Sequence, residues 1–95
     1  MVVSFDPEKD AENIRKHGLS LALGEYMLQD PLAVIIYDRF ENGEHRYHAV
    51  ATIGSKCLVL VHTYPDPDDE GEIRAISLRE ATKNERQRYE EDGSG

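Results

Sequence analysis

The fold is decided between residues 32 and 64, which read LAVIIYDRFENGEHRYHAVATIGSKCLVLVHTY. Runs rich in β-branched and aromatic residues flank Asn42-Gly43, a dipeptide typical of two-residue hairpin turns. A second turn is expected at Gly54-Ser55, and the apolar run at 58–61 favours a central strand covered on both faces. Three strands are therefore predicted, over residues 32–39, 45–53 and 56–64.

A strand and a helix are predicted before this stretch. An apolar run at residues 2–5 indicates a first strand. Asp6-Pro7 then begins a helix, because aspartate caps helix N-termini and proline suits the first helical position. The helix is expected to end at Gly18 and to face inward through Ala11 and Ile14.

Two further helices complete the expected fold. Residues 20–29 are apolar nearly all round, so a helix there should lie flat on the sheet. After a last strand at 72–78, Thr82-Lys83-Asn84-Glu85 forms a capping box that begins a C-terminal helix, although Ser77-Leu78-Arg79-Glu80 has the same pattern. Short connections favour antiparallel neighbours. The predicted class is α+β: a small antiparallel meander with two N-terminal helices packed on one face, and a C-terminal helix.

Length and composition limit the class of protein. A chain of 95 residues supports one domain, assigned to residues 1–92, with Gly93-Ser94-Gly95 as a linker or an artificial remnant. Hydrophobic residues make up 39% and charged residues 32%, as in soluble globular proteins. No apolar run approaches about 18 residues and no signal peptide is apparent, so no membrane contact is expected. The single cysteine, Cys57, can form no internal disulfide, which fits a cytoplasmic location.

Charge is unevenly distributed along the chain. The net charge is −8, yet residues 74–88 carry five basic residues against two acidic ones. An acidic protein repels nucleic acid at long range, so any RNA contact would depend on such a local patch. Strict alternation along the last strand would put Arg74, Ile76 and Leu78 on one face. The alternative is an ordinary solvated helix whose basic residues pair with nearby acids.

A second basic group, Arg15-Lys16-His17, ends the first predicted helix. These cations either offset the negative end of the helix dipole or provide His17 as an acid or base beside a phosphate. Sequence spacing leaves both interpretations open.

The strand histidines indicate no metal site. His48 shares a strand face with Arg46, and His45 lies on the opposite face, so the two histidines make a poor metal pair. His62 lies in the most apolar strand and is expected to be a half-buried packing residue.

Taken together, these landmarks resemble the BrnT family, the toxin half of a bacterial type II toxin–antitoxin pair. The resemblance extends from residue 5 to about residue 89. Its N-terminal landmarks are Phe5-Asp6-Pro7, Lys9, Asn13, Lys16-His17-Gly18 and Asp30-Pro31. Glu44 and Arg46, which open the second hairpin strand, also fit. Its C-terminal landmarks are Arg74, Ile76-Ser77, Arg79, Ala81-Thr82, Glu85-Arg86 and Tyr89.

The resemblance implies a RelE-like fold and a metal-independent endoribonuclease, without a cofactor, that arrests growth by cutting RNA. It also implies a BrnA-like antitoxin that neutralises the toxin and carries the DNA-binding part of the complex.

A site hypothesis follows from the resemblance and the charge pattern together. The expected catalytic residues are Arg46, Arg74 and Arg79 as phosphate contacts, with His17 or Lys16 as proton donor or acceptor. Lys83 and Arg86 would bind RNA beyond the cleaved bond, and Glu85 is either a base or simply part of the helix cap. Two alternatives stay open: an inactive toxin-derived module that binds an antitoxin-like partner, and a stand-alone α+β protein with another role.

Overall fold

The computed structural model describes residues 2–94, with side chains through residue 92. Five strands form one sheet: β1 (Val2–Ser4), β2 (Val34–Glu41), β3 (Glu44–Ile53), β4 (Lys56–Thr63) and β5 (Glu72–Glu80). The helices are α1 (Pro7–His17), α2 (Gly24–Met27) and α3 (Lys83–Ser94), and a 3₁₀ turn spans Leu21–Leu23. The strand order is β1-β5-β4-β3-β2. The α+β class is confirmed, and none of the helices between residues 2 and 94 is long and apolar enough to cross a bilayer.

Strands β2 to β5 form the predicted antiparallel meander, in which each strand pairs with the next along the chain. Asn42 and Gly43 at the first turn have φ of 52° and 77°, the positive values that a type I′ hairpin requires. Strand β2 begins at Val34, later than predicted, and β5 continues to Glu80.

The first strand departs from the expected topology. β1 pairs with β5 in parallel, so the sheet is mixed and the prediction of a wholly antiparallel sheet is wrong at this edge. The argument from short connections does not apply here, because nearly the whole domain lies between these two strands.

Helix α1 begins and ends as predicted but faces the sheet through a different residue. Asp6 Oδ1 accepts from the Glu8 N–H at 2.9 Å, and Gly18 has a φ of 71°. Ala11 and Ile14, expected to face inward, are both exposed, Ile14 at 47%, whereas Asn13 is 5% exposed. The Asn13 amide bonds both the N–H and the C=O of Leu78, at 3.0 and 2.8 Å. The Asn13 side chain therefore makes the hydrogen bonds that a neighbouring strand would make, at the part of β5 that extends beyond β1.

The predicted second helix is instead two short pieces, the 3₁₀ turn and α2. Asp10 Oδ1 accepts from the Leu21 N–H at 2.7 Å and tightens the first turn. Gly24 follows, and a Cβ there would lie 3.0 Å from Leu60 Cδ2, so a larger residue would require the Leu60 side chain to shift. Tyr26 is 62% exposed, which shows that this segment does not bury its whole circumference.

Helices cover both faces of the sheet. The core face carries Leu58 and Leu60 and packs against α1, the 3₁₀ turn and α2. The opposite side, which we call the α3 face, carries Val50 and Val59, and α3 packs there through Tyr89. Only part of the α3 face is covered in this way.

The predicted boundary at residue 92 stays a prediction: α3 continues through Ser94, and Gly95 lies outside the described residues.

A bulge in β5 changes which residues share a face. Ile76 has no partner in the register with β4, and an extra residue reverses the alternation beyond it. Leu78 consequently lies in the same buried core as Ile73. The prediction that Arg74, Ile76 and Leu78 share a face is wrong. Instead, the register puts Arg74 and Arg79 together on the α3 face.

Candidate functional site

Polar side chains cross the part of the α3 face that Tyr89 does not reach. We call this row the polar strip; its members are Asp38, Arg46, His48, Ser77 and Arg79. His48 pairs across the sheet with Val61, which pairs with Ser77. Two irregularities build the row, since a register shift in β2 occurs at Asp38 and the β5 bulge precedes Ser77. Bulges redirect side chains in this way and are enriched beside active sites.

His48 forms a pair with Asp38 within the strip. His48 Nε2 lies 3.4 Å from Asp38 Oδ2, and about a quarter or less of each side chain is exposed. A hydrogen bond from Arg39 is the main cause that lowers the pKa of Asp38, and the charges of His48, Arg39 and Arg46 add to it. Asp38 is therefore an anion at neutral pH, and its carboxylate lies beside the His48 ring.

Arg46 is the most enclosed cation of the strip. Its side chain is 19% exposed, and its Nη1 lies 3.4 Å from Glu41 Oε2. Arg46 Nε is buried and has no hydrogen-bond partner among the described residues. Burying a guanidinium donor without an acceptor costs free energy, so this N–H is available to an acceptor that a ligand or a water molecule supplies.

Arg79 and Glu85 connect the strip to α3. Arg79 donates from Nη1 and Nη2 to the two carboxylate oxygens of Glu85, at 2.7 and 2.9 Å. The Arg79 hydrogen bond is the main cause that lowers the pKa of Glu85 to about 2. Glu85 also accepts from the Thr82 N–H at 2.8 Å, as the predicted capping box requires. It is therefore a weak base, because its carboxylate is already doubly engaged.

Arg74 lies on the same face, nearer the acidic loop. It pairs with Thr63, the residue after His62, and His62 pairs with Tyr47. Arg74 and Arg46 are consequently in the same line across the sheet, two strands or about 10 Å apart. The Arg74 side chain is exposed and has no ion-pair partner among the described side chains.

A family model described as "Ribonuclease toxin, BrnT, of type II toxin-antitoxin system" matches residues 5–85. The chain belongs to the BrnT family. The resemblance read from the sequence is thereby confirmed, and membership makes the chain a type II toxin of the ribonuclease class, with an RNA target and an antitoxin partner. No curated protein matches it. The matched span contains the whole polar strip.

In this BrnT chain, the predicted proton carriers lie at the edge of the strip. Lys16 and His17 line a small recess with Asn13 and Ser77, beside β5. Ser77 is two strands from His48, which is about 10 Å at the usual strand spacing. Lys16 Nζ also pairs with Glu12 Oε1 at 2.7 Å. The structure therefore does not bring Lys16 or His17 into contact with Arg46.

The predicted RNA-binding residues of α3 diverge from the strip. Arg86 lines a recess with Ser55 and Lys56, at the end of β4 remote from Thr63, and its Nε lies 3.2 Å from Glu90 Oε1. Lys83 is exposed in the first turn of α3. Arg86 follows the matched family span, and Lys83 falls within it.

Three residues of the strip, Asp38, His48 and Ser77, were absent from the site predicted from the sequence, and Ser77 was named only as a landmark of the resemblance. His48 could have been found, since the alternation in β3 already put it beside Arg46. Asp38 could not, because its direction depends on the β2 irregularity.

Among the described side chains, no three histidines, cysteines or acids are grouped as metal ligands. His62, expected to be half-buried, is fully buried, so that prediction is wrong in degree.

Proposed function

We propose that this BrnT toxin is a metal-independent endoribonuclease whose active site is the polar strip. The observation that carries the proposal is the joint position of Arg46, His48 and Arg79 on the uncovered part of one sheet face. All three side chains are largely enclosed, at 19%, 22% and 30% exposure. Enclosed cations are better oriented and less screened by salt than surface ones.

The reaction is a transesterification within the RNA strand. The phosphorus atom exchanges its bond to the 5′-oxygen of one nucleotide for a bond to the 2′-oxygen of the nucleotide before it. The 2′-hydroxyl gives up its proton and its oxygen bonds to phosphorus, while the bond from phosphorus to the 5′-oxygen breaks. The leaving oxygen takes a proton. The products are a 2′,3′-cyclic phosphate and a 5′-hydroxyl, so the chain must stabilise a crowded anionic phosphorane and move two protons.

Arg46 and Arg79 are suited to the phosphorane, and Arg74 to a flanking phosphate. The Arg46 Nε–H is free to donate. Nη1 and Nη2 of Arg79 each already donate one hydrogen bond to the Glu85 carboxylate. The Nε–H and the second Nη2 hydrogen remain for a phosphate, in the side-on geometry that arginine also uses. One oriented donor of this kind contributes roughly 3 kcal/mol to the transition state.

His48 is the best situated proton carrier. It lies on the same face as Arg46, two residues along β3, and its Nε2 is 3.4 Å from Asp38 Oδ2. Acid–base assistance of this kind contributes about 10²–10⁴ in rate. His17 and Lys16, predicted from the sequence as proton donor or acceptor, lie at the β5 edge, and the role proposed for them here is contact with RNA flanking the cleaved bond. Lys83 and Arg86 would contact RNA farther along α3.

The finer features implied by the family resemblance belong to the same proposal. They are a RelE-like arrangement of the fold, action in the cytoplasm, growth arrest, and neutralisation by a BrnA-like antitoxin that also binds DNA. One observation favours the second candidate, an inactive interaction module: Asp38, Glu41 and Glu85 already pair with the cations of the strip.

Growth on induced expression separates the two candidates. The wild-type chain should arrest growth, and Arg79→Ala and Arg46→Ala should abolish the arrest at equal protein levels. Arg15→Ala is the matched control, because Arg15 is 74% exposed on α1 and remote from β3. Uninhibited growth with the wild-type chain, or equal arrest by all variants, would contradict the proposal.

A further inference from the structure

A groove on the core face lies opposite the polar strip and takes no part in the proposed chemistry. We call it the aromatic groove; the residues that line it include Ile35, Tyr37, Tyr47 and Tyr64. The volume is about 660 Å³. It forms where β2, β3 and the end of β4 extend past the helices that cover the rest of this face.

The β2 edge beside the groove is unusually apolar. Ile35, Tyr37 and Phe40 of β2 are 44%, 52% and 60% exposed. β2 is also the last strand of the sheet, so its outer backbone edge is unpaired. Exposed apolar groups in a contiguous patch mark interaction surfaces, and an edge strand with this composition would otherwise favour aggregation.

The floor of the groove is a fixed cluster of rings. The Tyr47 ring lies 5.4 Å from that of Tyr37, 4.9 Å from that of Tyr64 and 5.9 Å from that of His62. His62 is fully buried, and neither of its ring nitrogens has a hydrogen-bond partner among the described residues. Because these rings hold one another in place before a partner arrives, docking on them costs little conformational entropy.

The charge around the groove selects among its potential occupants. Glu44 and Glu70 line it, and the adjoining loop at residues 66–70 reads DPDDE. RNA bases could stack on tyrosine rings, but this rim repels phosphate. A second copy of the chain would also be repelled, since each copy has a net charge of −8. A basic polypeptide with an apolar face fits both the rim and the rings.

We infer that the aromatic groove binds a positively charged segment of the antitoxin whose apolar side chains pack on the Tyr37, Tyr47 and Tyr64 rings. The inference shares one premise with the proposed function, which is that the partner of the chain is an antitoxin. It does not depend on RNA cleavage. The groove and the polar strip are on opposite faces of the sheet, so changes in the groove should weaken antitoxin binding and leave RNA cleavage intact.

The test is a calorimetric titration of the full chain with the protein encoded by the reading frame adjacent to its gene. The double variant Ile35→Ser/Tyr37→Ser should bind at least tenfold more weakly than wild type. Tyr26→Ser, which removes a tyrosine that is 62% exposed on α2, should change the affinity less than twofold. Glu70→Lys should also weaken binding, and Glu25→Lys, an exposed acid on α2, should not.

Thermal unfolding of each variant separates lost contacts from lost folding, and Glu70→Lys alters only an exposed loop side chain. Wild-type affinity in both groove variants would overturn the inference, as would the absence of any binding by the wild-type chain. So would groove variants that lose RNA binding or self-association instead. If groove variants lose the antitoxin but the wild-type chain cuts no RNA, the inference holds and the proposed ribonuclease function fails.

Discussion

Replacing Glu85 with glutamine tests the link between the polar strip and α3. Both carboxylate oxygens accept from Arg79, and one also accepts from the Thr82 N–H. Glutamine keeps the shape and one acceptor but loses the charge. The variant should therefore be less stable than wild type, by an amount that depends on pH.

The size of the effect follows from the pKa of Glu85, which falls from an ordinary 4.5 to about 2 in the folded chain. At about 1.4 kcal/mol per pH unit, the ionised carboxylate stabilises the fold by at most about 3–4 kcal/mol. Partial exposure of the pair, 30% for Arg79 and 24% for Glu85, reduces this to about 2 kcal/mol. Because the pKa is lowered by folding, the stabilisation is complete above pH 4.5 and is lost as the pH falls towards 2.

Urea unfolding followed by circular dichroism, at steps from pH 7 to pH 3, measures this directly. The free energy of unfolding of Glu85→Gln should be about 2 kcal/mol below that of wild type at pH 7, and the gap should narrow below about pH 4.5. Glu91→Gln, an exposed change on the same helix, is the control and should be nearly neutral. A gap that stays constant or widens towards low pH would refute the reasoning.

Three further changes test other parts of the account. Asn13→Ala should destabilise the fold by about 2–4 kcal/mol, because both Leu78 backbone groups lose their partner, and a thermal melt beside Asn84→Ala would show it. His48→Gln should lower the rate of RNA cleavage about 10²–10⁴-fold with little change in melting temperature; an unchanged rate would exclude His48 as the proton carrier. Arg46→Lys should cleave RNA more slowly than wild type in the same assay, since an ammonium group lacks the planar, bidentate donors of a guanidinium. A wild-type rate would mean that positive charge alone is sufficient at this position.

Local signals in the sequence were sufficient for most individual elements. The Asp6 cap, the left-handed Gly18 and the Asn42-Gly43 turn each depend on a few adjacent residues, and the structure has all three. The Thr82–Glu85 capping box is likewise present, with hydrogen bonds of 2.8 and 3.3 Å. These features need no information about the rest of the chain.

Features that depend on distant contacts could not be predicted. The parallel pairing of β1 joins residues about 70 positions apart. Asn13 faces inward because it meets the backbone of Leu78, whereas helix periodicity favoured the apolar Ile14. The Ile76 bulge has no sequence signature, and it reverses the faces of every β5 residue beyond it.

The site residues could be predicted only where the sequence also indicated which face of the sheet they lie on. Arg46 and Arg79 were named from the resemblance and the charge pattern, and both lie in the strip. The same alternation had already grouped His48 with Arg46, but nothing in the sequence indicated that Asp38 would lie 3.4 Å from it. His17 or Lys16 was predicted as proton donor or acceptor, and both lie beside β5. Their distance from Arg46 could not be predicted, because the position of α1 relative to β3 is a tertiary property.

The measurement that most directly tests the central claim is the chemistry of the cut ends. Purified wild-type chain should cut labelled RNA in the presence of EDTA and leave a 2′,3′-cyclic phosphate and a 5′-hydroxyl. Arg79→Ala and Arg46→Ala should each lower the rate by about 10²-fold or more, the equivalent of roughly 3 kcal/mol. Loss of cleavage in EDTA, 3′-hydroxyl products, or the wild-type rate in both variants would contradict the account.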